Sequence, residues 1–420
     1  MPSASRISAF ARVTTLAGKR PTHAAFAWLH GNPKTIMDWQ MAVVAIPAPP
    51  FGEGARANWL AERFADAGLA DVRTDEVGNV LGFVYPGGHD MESTGHIVVI
   101  SAHLDTVFPV GTPILPSLSQ KDGVDRLEAP GACDNGAGIA GLLAFAFALV
   151  HGQVDLPVPL LFVGNVGEEG EGDLRGIRHL YSGPLAGRIA AHIVLDGAGA
   201  DSAVTQALGS RRFQVAISGP GGHSFTDAGT PNPIAALATA LAALSNMSIP
   251  NEPRTTMNLG TIHGGTSVNS IPERAVASID FRSTSTDELL RLEVALHRAV
   301  EDAVEFANAH AKSVAARGKL VFTIQKIGDR PAAQLPDDSP ILEALHAVDR
   351  RLDLKTTVRL GSTDANVPLS LHIPAVSVGA GGDGGGAHTL GEWYSSKDRE
   401  LGLKRALLLT LAMVDWAAEQ

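Results

Sequence analysis

Apolar residues fall along this chain in two alternating rhythms. Short β-branched runs read as buried strands, and stretches with apolar positions three or four apart read as helices. Helical spacing covers residues 34–46 and Gly54–Ala67, broken by the Pro-Ala-Pro-Pro run at 47–50. Short strands are predicted at 72–74 and Val80–Val84, followed by the apolar, β-branched run 97–101, a strand that ends at His103. Residues 109–130 are polar and read as a loop. Asn-Gly-Ala-Gly at 135–138 opens an alanine-rich helix that reaches Val150. Residues 160–163 and 192–195 are further interior strands, the first just before Glu168 and Glu169, the second just before Asp196. This alternation predicts an α/β fold with a mostly parallel sheet sandwiched by helices, whose sites lie beyond the carboxyl ends of the strands.

From about residue 210 to residue 328 the pattern changes. Residues 212–218 read as a strand, 233–244 as a helix, 256–262 and 275–281 as strands, 288–311 as a long helix and 320–326 as a last strand. That order, β-α-β-β-α-β, is the ferredoxin-like one and predicts an inserted α+β domain. The first pattern then resumes with a helix at 341–348, strands at 357–360 and Ala375–Val378, and a closing helix over Arg399–Ala417. The glycine-rich stretch 379–386 lacks the lysine and following helix of a phosphate loop and reads as a pliable loop that carries a ligand.

Composition narrows the classes. A chain of 420 residues exceeds one typical core, so two domains are expected. Apolar content of 45% with 18% charged residues suits a soluble globular protein. The longest apolar run, 139–150, is too short to cross a bilayer, and a formal charge of −11 disfavours nucleic acid or an anionic membrane as the main partner. Cys133 is the only cysteine, which excludes an internal disulfide and is compatible with a reducing compartment. The first twenty residues carry Arg6, Arg12, Lys19 and Arg20 without an acid, and lack the continuous apolar core of a secretory signal. They read as a frayed or docked amphipathic tail, and a cytoplasmic location is expected.

The chemistry gathers at the strand ends. His103 and Asp105 lie two apart and project to the same side of an extended chain. An imidazole beside a carboxylate is a common way to build a metal ligand with its orienting group. His-x-Asp alone arises by chance; its weight comes from an ordered series of downstream motifs. These are Cys-Asp-Asn-Gly-Ala-Gly at 133–138, Gly-Glu-Glu-Gly at 167–170, Leu-Asp-Gly at 195–197, Gly-Gly-His-Ser-Phe at 221–225 and Ala-His-Thr-Leu-Gly-Glu at 387–392. With these motifs the chain resembles, over nearly its whole length, the two-zinc exopeptidases that include peptidase T, carnosinase-type dipeptidases, glutamate carboxypeptidase and acetylornithine deacetylase.

The resemblance implies a metal-binding catalytic domain split between residues 1–209 and 329–420, and a lid and dimerisation domain over 210–328. It implies that His103 and Asp196 hold one metal ion, Glu169 and His388 the other, and that Asp134 bridges them. Asp105 would fix the ring of His103, and Glu168 would take a proton from the water between the ions. A cis peptide after Asp134 is a further family feature. Three carboxylates and two imidazoles suit Zn2+, with Mn2+ or Co2+ able to occupy the same ligands. Two such ions roughly 3.5 Å apart can share a hydroxide and polarise a carbonyl, while a glutamate moves the proton to the leaving nitrogen. The resemblance further implies that His223 reaches the active site of a second subunit to hold the oxyanion, which requires a homodimer. Asn269 and Arg282 match lid positions that contact substrate. Arg359, Ser362 and Thr363 lie in a segment similar to the Arg-x-Gly-Thr-Asp-Gly of peptidase T, where a substrate terminus is held.

Each residue also has a plainer reading. Asp134 suits a helix N-cap, Asp196 a turn, His388 and His223 exposed loops, and Cys133 simple packing. Glu168 and Glu169 suit a solvated pair, Arg282 a partner for Asp280, and Ser362 and Asp364 caps of a short helix. Aspartate rather than glutamate at position 196 tends toward aminopeptidases and dipeptidases in the family. The expected activity is therefore cleavage of an amide bond in short peptides, with an N-acyl-amino-acid amidohydrolase or a carboxypeptidase as the alternative. An inactive binding protein on the same scaffold is the third possibility. The Glu-Glu-Gly-Glu-Gly-Asp run at 168–173 and the long glycine loop depart from peptidase T.

Overall fold

The computed structural model describes residues 8–88, 95–312 and 318–420. The chain divides into two compact units, Met1–Ala207 with Gln334–Gln420, and Leu208–Ala333.

The first unit is built on a sheet whose middle is parallel. Ile97–His103 runs between Leu160–Asn165 and Ile189–Leu195, and Ala375–Val378 follows in parallel on the far side of Ile189–Leu195. These strands are buried almost throughout, which explains why they appear in the sequence as unbroken apolar runs rather than alternating ones. Antiparallel strands extend the sheet: Val80–Val84 and Ala70–Thr74 on one side, Ser202–Ala207 on the other, with Thr357–Gly361 parallel to the last. The helix Gly136–His151 is buried on nearly every side, so it shows no polar face. Its Gly141 packs on Ala380, where a Cβ would come within 2.8 Å of the alanine methyl.

Two polar regions hold more structure than the sequence rhythm suggests. Within the expected loop 109–130, Ser117–Lys121 and Val124–Glu128 form an antiparallel hairpin turning through Asp122 and Gly123, both at positive φ. An Asp-Gly pair is the preferred two-residue turn. The strands on either side are short and largely exposed, so they lack an apolar signal. The hairpin joins Trp393–Ser395 and then Asp383–Gly385, so part of the glycine loop 379–386 is a strand. The amino-terminal tail is likewise ordered, as helices Ala9–Gly18 and Arg20–Gly31. Arg12 anchors the first of these to the closing helix through Asp415 at 2.9 Å. Arg6 lies outside the described residues.

The second unit is a four-stranded antiparallel sheet in the order Thr255–Gly264, Arg274–Ser283, Gly209–Ser218, Val321–Arg330. Helices Pro233–Ser245 and Thr286–Ala309 pack on it around Phe213, Val215, Ile217, Leu237, Leu292 and Leu296. The chain order is β-α-β-β-α-β, and the sheet order is that of a ferredoxin-like fold. No helix among the described residues is long and apolar enough to cross a membrane.

Candidate metal centre

Four of the five expected ligands lie on segments that follow parallel strands, the location that an open parallel sheet favours, while the fifth, Asp134, lies just before the helix Gly136–His151. His103 is the last residue of Ile97–His103, and Glu168 and Glu169 lie just beyond Leu160–Asn165. Asp196 directly follows Ile189–Leu195, its amide bonded to the Val378 carbonyl at 3.0 Å. His388 lies ten residues beyond Ala375–Val378, in the left-handed region at φ 66°.

The side chains converge. Nε2 of His103 is 3.0 Å from Oδ1 of Asp134 and 3.8 Å from Oδ1 of Asp196. Nε2 of His388 is 3.0 Å from the other Asp134 oxygen, Oδ2, and 3.1 Å from Oε1 of Glu169. Asp134 thus presents one oxygen to each imidazole. Ligand atoms of His103, Asp134 and Glu169 all lie within 4.8 Å of one another. Donors bonded to one zinc-sized ion at about 2.0–2.2 Å stand roughly 3–3.5 Å apart, so the donor set and its spacing fit metal ions between the paired groups. The Asp134–Asn135 peptide is cis.

Without a cation, charge in this cluster is balanced by protons on the rings. The carboxylates of Asp134 and Glu169 push His388 up to about 10. Burial opposes a charged His103, but Asp105, Asp134 and Asp196 hold it well above the ordinary imidazole range.

Asp105 contacts the His103 ring and also holds the glutamate turn. Nδ1 of His103 lies 3.1 Å from the Asp105 main-chain carbonyl and 3.6 Å from its carboxylate, too long for a hydrogen bond. The carboxylate instead accepts the backbone N–H groups of Glu168 at 3.0 Å and Glu169 at 2.7 Å. One residue therefore orients the ring through its backbone and the glutamate turn through its side chain. Beneath it, buried Arg56 donates to the carbonyls of Leu104 and Ile46, and burial lowers its guanidinium to about 10. Gly167 starts the glutamate turn at φ 67°, with Arg175 packed so closely that a Cβ would meet it at 2.6 Å.

Sequence reasoning missed the residues that hold this cluster from behind. Asn135, not Asp134, caps the helix Gly136–His151, accepting from Gly138. It also spans Asp196, donating to the Leu195 carbonyl and accepting from the Gly197 amide. Gln40, from the helix Pro33–Val44, donates to the Ala132 carbonyl at 2.7 Å. Such contacts are long-range, and nothing local in the sequence marks them.

The proposed substrate residues fall in several places. In the first unit, Arg359 is exposed on Thr357–Gly361 and Ser362 is half-buried. Thr363 is buried in a turn closed by Asn366. Asp364 accepts a hydrogen bond from Asn165 at 2.7 Å, and burial pushes its carboxyl up to about 7. In the second unit, His223 and Asn269 are neighbours, because Ser224 donates to the Asn269 carbonyl and His223 pairs with Ser270. Nδ1 of His223 accepts the amides of Phe225 and Thr226 at 3.2 and 3.4 Å. The neutral ring therefore keeps its proton on Nε2. Arg282 lies near the far end of Arg274–Ser283, roughly 25 Å along the strand from Arg274 at 3.3 Å per residue. It is bonded to Asp280 at 2.7 Å.

Comparison with known proteins agrees with this picture. The model of peptidase family M20/M25/M40 matches residues 99–412, a span that contains every candidate ligand. The chain belongs to this family. Among M20-family and related structures, it is similar to the aminopeptidase PepT of Bacillus cereus, with a TM-score of 0.70 and 21% identity over 91% of this chain and 99% of that one. Human carnosine dipeptidase 1 aligns with a TM-score of 0.63 and 16% identity, over 94% of this chain and 100% of that one. Both likenesses are of fold. In sequence, the chain is 25% identical over 302 residues to a probable carboxypeptidase of Neosartorya fischeri, covering 65% of this chain and 66% of that protein. A probable carboxypeptidase of Aspergillus clavatus is 29% identical over 273 residues, covering 60% and 58%. The chain spans less than two thirds of the length of these curated relatives.

Proposed function

We propose that this protein is a metal-dependent exopeptidase that hydrolyses an amide bond of short peptides, as an aminopeptidase or a di- or tripeptidase, using two zinc ions. The observation that carries the reading is the placement of the two Asp134 oxygens, each 3.0 Å from a different imidazole. His103 and Asp196 would hold one ion, Glu169 and His388 the other, and Asp134 both. Bound there, the ions supply Lewis-acid polarisation of the scissile carbonyl and acidify a water.

The chain's own groups do the rest. Glu168, buried and set beside Glu169, takes the proton from the attacking water and returns it to the leaving nitrogen. Asp105 keeps both glutamates in place through their amides. His223, with its proton on Nε2, is suited to donate to the oxyanion of a site in a second subunit, which makes the enzyme a homodimer through the second unit. Arg359, Ser362 and Thr363 in the first unit would contact substrate, and Asn269 in the second would act beside His223. Arg282 is kept in that group only with its Asp280 bond exchanged for a substrate carboxylate. The lone buried Cys133 agrees with a cytoplasmic setting.

An aminopeptidase is favoured over a carboxypeptidase by aspartate, rather than glutamate, at position 196. The relatives named as probable carboxypeptidases keep the other reading open to test. Incubation with a free tripeptide, its N-acetylated form and an N-acyl amino acid separates the readings. Release of the first residue from the free tripeptide alone is expected. Release of the last residue from the N-acetylated peptide, or deacylation alone, would overturn it.

His223→Ala is expected to lower kcat by about 10²–10³-fold, the effect of losing one oxyanion donor, with metal content unchanged. Steady-state kinetics and elemental analysis of the same preparation check both halves.

A further inference from the structure

We propose that Glu392 is the positioning residue for the metal-bridging aspartate, an inference that rests on reading Asp134 as that bridge. Glu392 is 1% exposed. Its Oε1 accepts the amides of Cys133 and Asp134, each at 2.7 Å, and its Oε2 accepts the Gly131 amide at 2.9 Å. Its main-chain carbonyl accepts the Ala129 amide at 3.1 Å. Four bonds thus run from one residue to the segment that delivers Asp134, and one of them ends on the Asp134 amide itself.

A buried carboxylate is costly unless it is paired or fully hydrogen-bonded. Among the described residues no lysine, arginine or histidine pairs with Glu392, so the three converging amides supply its counter-charge. Such an arrangement has little purpose in packing, where an apolar side chain would fill the space without desolvating a charge. It does fix a backbone. The residue also sits four positions after His388, and its amide closes a turn on the Thr389 carbonyl. One short segment therefore carries a ligand of the second ion and clamps the loop that presents the bridge, so the two donors keep a fixed spacing. Gln40 on the Ala132 carbonyl and Asn135 across Asp196 hold the same loop from its other sides.

Glutamine at position 392 tests this sharply. Its carbonyl oxygen can replace Oε1, but its amino group then meets the Gly131 N–H donor to donor. Glu392→Gln is expected to fold, to bind Co2+ about 10–100-fold more weakly, the range for a group supporting a ligand, and to show an altered cobalt absorption spectrum. kcat should fall while KM changes little. Asp349→Asn is the control, a buried acid paired with Arg405 and Thr356 that touches none of the candidate ligands. It should lower the melting temperature and leave cobalt affinity and spectrum as in wild type. Should E392Q fail to fold, Glu392→Asp, which keeps the charge on a shorter arm, reads the same quantities with the same expectation.

Cobalt affinity and spectrum unchanged in a folded Glu392 variant would overturn the inference. So would weakening no greater than in D349N at matched thermal stability. If wild type takes up cobalt tightly and Asp134→Ala binds it equally well, the bridge reading itself fails, whatever Glu392 does.

Discussion

Glu168→Ala is expected to retain both metal ions and to lose hydrolysis by about 10²–10⁴-fold, the usual worth of a positioned general base. That corresponds to roughly 3–5 kcal/mol of transition-state stabilisation. The separation of the two effects follows from the turn. Asp105 holds the amides of Glu168 and Glu169 independently, at 3.0 and 2.7 Å, so removing one side chain leaves the backbone of the other where it was. Glu169 then keeps its contact with His388. Kinetics on a short peptide and elemental analysis of one preparation decide the matter. A variant that released metal yet remained active would reverse the roles given to the two glutamates.

Asp134→Ala is expected to have the opposite signature, with metal lost from both positions and activity lost with it. Among the described residues no other acid pairs with both imidazoles, and each ring would lose an acceptor 3.0 Å away. Proton release gives a second readout. Without metal, Asp134 and Glu169 hold His388 up to about 10, and three carboxylates hold His103 well above the ordinary range against burial. Both rings are therefore protonated at neutral pH, and metal uptake must displace those protons. Apparent affinity for wild type should rise with pH until the His388 value is passed. Calorimetry at pH 7 in buffers of different ionisation enthalpy should show this release for wild type, and no metal-linked release in D134A.

The sequence carried the sheet and the ligands for one reason. The central strands are buried on both faces and so are written as apolar runs, and all the ligands but Asp134 follow them, where motif and strand can be read together. Gly54–Ala67, Val80–Val84, Ala375–Val378 and Arg399–Ala417 coincide with their expected limits. The hairpin at Ser117–Lys121 and Val124–Glu128 escaped because its short strands are exposed and lack an apolar signal. At the site, His103, Asp134, Glu169, Asp196 and His388 could be found because ligand chemistry needs particular residue types. Glu392, Gln40 and Asn135 could not be assigned roles, because they act on backbone groups that any residue would offer. Asp105 shows the same limit. Its type and position suggested a carboxylate beside His103, which stands 3.6 Å from Nδ1, but not that its main-chain carbonyl would take the ring's hydrogen bond and its carboxylate two amides.

Anomalous diffraction at the zinc edge from zinc-loaded crystals addresses the pairing of ligands most directly. Two peaks are predicted on either side of the Asp134 carboxylate, one against His103 and Asp196 and the other against Glu169 and His388. A single peak there, or full occupancy at positions that do not touch Asp134, would contradict the account.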